Sequence, residues 1–91
     1  MNKSELVSYV AEKASVSKKD AETAVNAVLD TISEALVQGD SVEFRGFGTF
    51  SIRHRAERTS QNPKTGEPIH VPAKAVPVFK AGKALRSAVD V

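Results

Sequence analysis

Leu6, Val7, Val10, Ala11 and Ala14 recur at three- and four-residue intervals, the spacing that gathers apolar side chains on one helical face. Asn2 stands at the N-cap position, and Glu5 three residues on completes a capping box. A second helical stripe follows through Ala21, Ala24, Val25, Val28, Leu29, Ile32, Ala35 and Leu36. Ser17 is its cap, Asp20 suits the positive end of the helix dipole, and Gly39 is placed to end it near Val37. The short connection predicts a helical hairpin. The second stripe is wider than one small helix can cover, so the rest of the chain and a second subunit are both expected to pack on it.

Period two replaces the helical period at Asp40. Val42 and Phe44 alternate with Glu43 and Arg45, the pattern of a half-buried strand. Gly46-Phe47-Gly48 reads as a tight turn into a second strand, where Phe50 and Ile52 continue the alternation. From Arg53 the apolar alternation stops and no helical period takes over. Asn62-Pro63-Lys64-Thr65-Gly66 is a turn signal, because proline presets φ and glycine accepts a positive φ. A return strand then runs through Ile69 and Val71 to Val76, Val78 and Phe79, and a short helix begins near Ala81. If Asn62 opposes Glu67, Phe50 falls opposite Phe79 and Arg55 opposite Lys74. The hairpin then has an apolar base and, beyond Arg53, a ribbon with no face to bury.

Length sharpens this outline. Ninety-one residues make one small domain with a marginal core, which is usually supplemented by disulfides, a metal or oligomerisation. The chain has no cysteine, which excludes disulfides and thiolate zinc sites and leaves oligomerisation. No secretory h-region and no apolar run long enough for a membrane span is visible, so a soluble, cytoplasmic protein without a membrane partner is expected.

The net charge of +2 hides an asymmetry. Residues 1–44 carry four lysines against eight acids, a balance of −4, whereas residues 45–91 carry nine basic residues against three acids, a balance of +6. An acidic half joined to a basic half points to a polyanionic partner for the second. The ribbon concentrates that charge in Arg53, Arg55, Arg58, Lys64 and Lys74, with Glu57 and Glu67 as its only acids. Pro68, Pro72 and Pro77 cannot donate ladder hydrogen bonds, as is tolerated in an edge strand. From Arg53 to Asn62 the arm would reach about 30 Å, close to the ~34 Å of one duplex turn. Two such arms on a two-fold dimer match a bent duplex, with arginines on phosphates and in a narrow minor groove.

Pro63 at the tip has two readings. A rigid ring without N–H can wedge into a base step, or it can simply fix the turn. Lys80, Lys83 and Arg86 suit either a phosphate track or a solvated helix face. Gly46-Phe47-Gly48 could present backbone N–H groups to a phosphate or be a plain turn. Lys3, Lys18 and Lys19 read as solubility residues, and the four phenylalanines read as core in preference to base-stacking platforms.

No catalytic constellation assembles, and no cofactor is expected. Ser51 replaces the third glycine of a dinucleotide motif begun by Gly46 and Gly48, and a strand follows it where a helix is required. Gly82-Lys83 lacks the leading glycine of a phosphate loop, where Pro77 stands, and has Ala84 in place of Ser or Thr. His54 and His70 are not opposed in the register above, so no metal pair is expected, and Glu12 and Glu34 show no sign of burial. The reading is a non-enzymatic protein.

Three blocks together resemble the bacterial HU/IHF family: Gly46-Phe47-Gly48-Thr49-Phe50, Asn62-Pro63-Lys64-Thr65-Gly66, and Pro77-Val78-Phe79-Lys80-Ala81-Gly82-Lys83. HU and IHF are standard examples of β-ribbon and minor-groove binders. The resemblance runs from Met1 to about Asp90. It implies an α+β fold: a two-helix hairpin base, a three-stranded antiparallel sheet with an extended β-ribbon arm, a short C-terminal helix, and an intertwined dimer. The corresponding division is a helical dimerisation base over residues 1–39, sheet at 40–52 and 76–80, a DNA-binding arm at 53–75, and a last helix at 81–90. It further implies Pro63 as the intercalating residue, arm contacts from Arg53, Arg55, Arg58, Gln61, Asn62, Lys64, Thr65, Gly66, His70 and Lys74, and body contacts from Lys3, Gly46, Gly48, Lys80, Lys83 and Arg86.

The expected activity is architectural: double-stranded DNA bound with little sequence preference, bent and compacted in the bacterial nucleoid, with bent, nicked or kinked duplex preferred. The chain looks more like HU than IHF because little follows the last helix, although an IHF-like sequence-preferring subunit of a heterodimer is the alternative. A homodimer or a heterodimer with a paralogue, an RNA ligand, and an acidic protein docked on the ribbon remain open on these residues. Two departures stand out. Ser60 and Gln61 occupy positions where many relatives carry Gly-Arg, and Asp90 places a negative charge at the end of a basic helix.

Overall fold

The structure, a computed structural model, describes residues 1–90. Helix α1 spans Lys3–Ala14 and α2 spans Lys18–Val37. The Asn2 side chain accepts a hydrogen bond from the Glu5 N–H at 2.9 Å, and the Ser17 hydroxyl accepts one from the Asp20 N–H at 3.1 Å, so both predicted caps are formed. Ser15 closes α1 in the left-handed region at φ 56°, where the Val16 N–H donates to the Ala11 carbonyl at 3.0 Å. Gly39, at φ +78°, ends α2, with the Asp40 N–H donating to the Ala35 carbonyl at 2.9 Å.

Two compact units divide the chain at Glu34 and Ala35. In the first, Val7, Ala11 and Ala21 are buried, with Val10 and Val25 packed against them. With one valine and two alanines as its buried side chains, this core removes little apolar area from water. The further part of the α2 stripe stays open: Val28 is 51% exposed and Leu29 44%.

The second unit contains β1 (Val42–Phe44), β2 (Gly48–Arg55), β3 (Arg58–Gln61), β4 (Pro68–Val71), β5 (Lys74–Ala81) and α3 (Lys83–Val89). One antiparallel sheet has the order β1-β2-β5, and β3 pairs with β4 in a separate two-stranded ribbon. Pro77 lies within β5, which is an edge strand, so its missing N–H leaves no gap in a central ladder. The register agrees with the sequence expectation, with Phe50 opposite Phe79 and Arg55 opposite Lys74. The Asn62 N–H donates to the Glu67 carbonyl at 2.8 Å across the tip. The last helix starts at Lys83, two residues later than its composition suggests, because Gly82 is extended at φ −75°, ψ 168°.

Four phenylalanines cluster at the base of the hairpin. Phe50 and Phe79 lie 4.7 Å apart by ring centroid, Phe47 and Phe79 5.6 Å, and Phe44 meets Phe50 edge-on at 6.2 Å. The expectation of a closed aromatic core is met only in part. The rings gather, yet Phe44, Phe47 and Phe79 remain exposed in the single chain. Gly48 is buried beneath them: a Cβ there would lie 2.5 Å from the Phe79 ring and 2.6 Å from the Lys80 carbonyl. The Gly82 N–H donates to the Phe47 carbonyl at 2.8 Å, tying the start of α3 to the β1–β2 turn.

Candidate nucleic-acid interface

The arm follows from its strand chemistry. In β2, Arg53 and Arg55 share one face by the two-residue period, and Lys74 stands opposite Arg55. Pairing then lapses over Ala56-Glu57 and Pro72-Ala73 and resumes with Arg58 opposite Val71. The register carries straight across this gap, so the interruption is an unpaired step and no residue is inserted. Pro72, which lacks an N–H, lies within it. Strict alternation would put Arg58 on the face opposite Arg55. Instead Arg53, Arg55, Arg58 and Lys74 line one open concavity of about 570 Å³ with Ala56, Val71 and Pro72. The step therefore turns the outer ribbon and gathers four cations around a space whose wall contains no acid.

At the tip the Lys64 N–H donates to the Asn62 side-chain oxygen at 2.9 Å, and the Gly66 N–H to the Asn62 carbonyl at 2.7 Å. Gly66 takes φ +72°. The Glu67 N–H donates to the Thr65 hydroxyl at 3.3 Å, so Asn62, Thr65 and Gly66 are committed to holding the turn. Pro63 is left exposed at the apex beside Lys64, with Gln61 opposite Pro68 and Ser60 opposite Ile69 just behind it.

Basic concavities also occur away from the arm. Gly46, Gly48, Lys80 and Arg86 line one of about 370 Å³, joined by Arg45 and Glu43. Lys3 lines another of about 360 Å³ together with Lys18, Lys19 and Glu22. Sequence reasoning passed over Arg45, which looked like an outward strand residue, and treated Lys18 and Lys19 as solubility residues. The adjacent lysines directly after the Ser17 cap were the available signal for the second group. Lys83 is exposed in the first turn of α3 and lines none of these three concavities.

His54 stands opposite Ala75 in one sheet and His70 opposite Thr59 in the other. Among the described residues no three His, Asp or Glu side chains gather as a metal site. No helix there is long and apolar enough to cross a membrane.

Comparison with known proteins places this architecture. A family model described as bacterial DNA-binding protein matches residues 1–90. The DNA-binding protein HU of Geobacillus stearothermophilus is 56% identical over 89 residues, covering 98% of this chain and 99% of that protein. HU 1 of Bacillus subtilis is 54% identical over 89 residues, covering 98% and 97%. Among solved structures, an Anabaena HU–DNA cocrystal structure superposes with a TM-score of 0.88 at 53% identity, covering 98% of this chain and 97% of that one. HU from Thermotoga maritima gives 0.71 at 37% identity, each chain covered to 98%. With its whole described length matched in sequence and fold, the chain belongs to the bacterial DNA-binding protein family, among relatives that are HU proteins.

Proposed function

We propose that this protein is an architectural DNA-binding protein that binds duplex DNA with little sequence preference through the minor groove, bends it and compacts the bacterial chromosome. The observation that carries the reading is the arm: four cations around an acid-free concavity, ending in an exposed proline. A relative of the same fold, 53% identical, was crystallised with DNA. Arg53, Arg55, Arg58 and Lys74 take phosphates along the shaft, and His70, on β4 opposite Thr59, is a further arm contact. Gln61, Asn62, Pro63, Lys64, Thr65 and Gly66 form the tip. Lys80, Lys83, Arg86 and the Gly46–Gly48 turn supply body contacts, as does Lys3 with Lys18 and Lys19. The residues divide accordingly into a helical base, a sheet and an arm.

The protein acts as a homodimer in this reading. Val28, Leu29, Phe44, Phe47 and Phe79 leave more apolar surface open than a soluble monomer of this size usually shows, and a second copy covers it. The curated relatives described above are HU proteins, which favours weak sequence preference over an IHF-like heterodimer subunit. The relatives described above are named as DNA-binding proteins, and the role in this reading is structural.

Mobility shifts on intact, nicked and kinked duplexes over a salt series test the reading directly. Affinity should fall steeply with salt and be greatest on nicked or kinked duplex. Salt-independent binding, or a preference for RNA in parallel titrations, would overturn it.

The tip makes a separate prediction. Pro63→Ala should reduce the bend angle, read by the distance between two labels on the duplex, more than it reduces affinity. Unstacking a base step costs ~ a few kcal/mol, which an inserted ring offsets only if it reaches the stack. Equal bend angles in variant and parent would return Pro63 to a turn-forming role.

A further inference from the structure

The unpaired step of the arm is open from both sides of the ribbon. Arg55 and Lys74 form the last rung before it, and both also line a second concavity, of about 470 Å³, with His54, Ala56, Ala73 and Ala75. His54 and Ala75 are themselves a rung, and the two-residue period of a strand puts them on the face opposite Arg53. Ala56 and Ala73 follow on that face as the register crosses the gap. Of the two arm concavities, Arg53 and Arg58 line the first alone, and His54, Ala73 and Ala75 the second alone. Arg55 and Lys74 belong to both, and no acid lines either.

We propose that this second face of the arm receives the backbone of a second duplex, so that one arm joins two duplexes side by side. The proposal rests on the reading of the arm as the DNA interface. Charge selects a polyanion, because the concavity has two permanent cations and no carboxylate. The alanines carry nothing beyond Cβ, which leaves room for a sugar-phosphate backbone. His54 has a ring N–H for a phosphate oxygen even when the imidazole is neutral. No aromatic side chain lines the wall to stack unpaired bases or to anchor a protein partner, which favours a duplex over a single strand or an acidic protein.

Dimensions separate the second duplex from the first. A minor groove is ~6 Å wide, narrower than the ~10 Å that a β layer occupies with its side chains. The two walls of one groove therefore do not close on both faces at this level of the arm. Sharing sets the order of affinities. The first duplex keeps Arg53 and Arg58 to itself, whereas the second depends on the two shared cations and His54. The second duplex is the weaker bound, and rising salt should release it first.

The test is capture of a labelled mixed-sequence duplex by the same duplex held on beads, joined by the full chain. Wild type is compared with His54→Glu and Ala75→Lys, both at exposed positions. Each protein is used at the concentration that half-saturates a lone duplex, so that occupancy of the first face is matched. His54→Glu should capture about two- to fivefold less than wild type, and Ala75→Lys about two- to fivefold more. The bend angle of the lone duplex should be the same in all three. Equal capture by the three proteins overturns the proposal, because the duplexes are then joined elsewhere. Loss of lone-duplex affinity in His54→Glu as large as its loss of capture gives the face to the first duplex and also overturns it. Labelled polyglutamate captured as well as the duplex overturns it in favour of an acidic protein. Wild type that captures no second duplex overturns it while leaving the DNA reading intact. Absence of lone-duplex binding defeats that reading and the proposal with it.

Discussion

Replacing Arg53, Arg55, Arg58 and Lys74 together by glutamine should flatten the log–log dependence of duplex affinity on salt by about 3.6 per chain, and by about 7 in a dimer using both arms. Each phosphate neutralised by a cation releases counterions and contributes ~0.9 to that slope. Between 50 and 200 mM salt a slope of about 7 costs the parent on the order of 10⁴-fold in affinity, a penalty the variant escapes because it never had the contacts. At low salt the variant should therefore bind far more weakly than the parent, and the two should converge as salt rises. Anisotropy titrations at four or five salt concentrations measure both quantities. A slope unchanged by the four substitutions would move the duplex from the arm to the basic groups around Lys3 or Arg86.

Gly48→Ala should be the most damaging single substitution. The added methyl would meet the Phe79 ring at 2.5 Å and the Lys80 carbonyl at 2.6 Å. The ring can tilt only by disturbing Phe47 and Phe50, and the carbonyl belongs to β5, so the relief must come from the strand pairing itself. Overpacking of this kind costs about 1–3 kcal/mol. In a domain of this length that corresponds to a fall of roughly 4–8 °C in Tm per kcal/mol. Thermal melts of variant and parent at equal protein concentration read the effect, since dimer stability depends on concentration. A melting temperature within a degree or two of the parent would mean that the sheet relaxes around the methyl.

The register of the hairpin was legible because the tip carries its own instructions. Proline and glycine at Pro63 and Gly66 define the turn, and the absence of any inserted residue lets one pairing propagate to the base. The helices were legible through Asn2, Ser17 and Gly39, whose roles depend only on near neighbours in the chain. The unpaired step at Ala56-Glu57 was not, because Pro72 resembles Pro68 and Pro77, which both lie within strands. The gathering of Arg58 with Arg53 and Arg55 was hidden for the same reason, since strict alternation assigns it to the other face. Arg45 was read as an outward strand residue and Lys18 and Lys19 as solubility residues, because the groups with which they line concavities are far off in sequence or on another helix. The aromatic positions were visible, but how far one chain covers them is a property of packing that no local pattern encodes.

The unpaired step also divides the hairpin into two zones that are expected to pair separately in folding. From the tip, pairing advances through contacts close in sequence, Gln61 with Pro68 and then Arg58 with Val71, each closing only a short loop at small entropic cost. At Ala56-Glu57 that advance loses its ladder. The base must close the span from Gly48 to Ala81 by another route, and the contacts able to reward so long a loop are those of Phe50 with Phe79. The ribbon thus has two places to begin, a turn that forms from local contacts and an aromatic clasp that waits for collapse. Without the clasp the tip is an isolated two-stranded ribbon of four pairs, at best marginally stable in water.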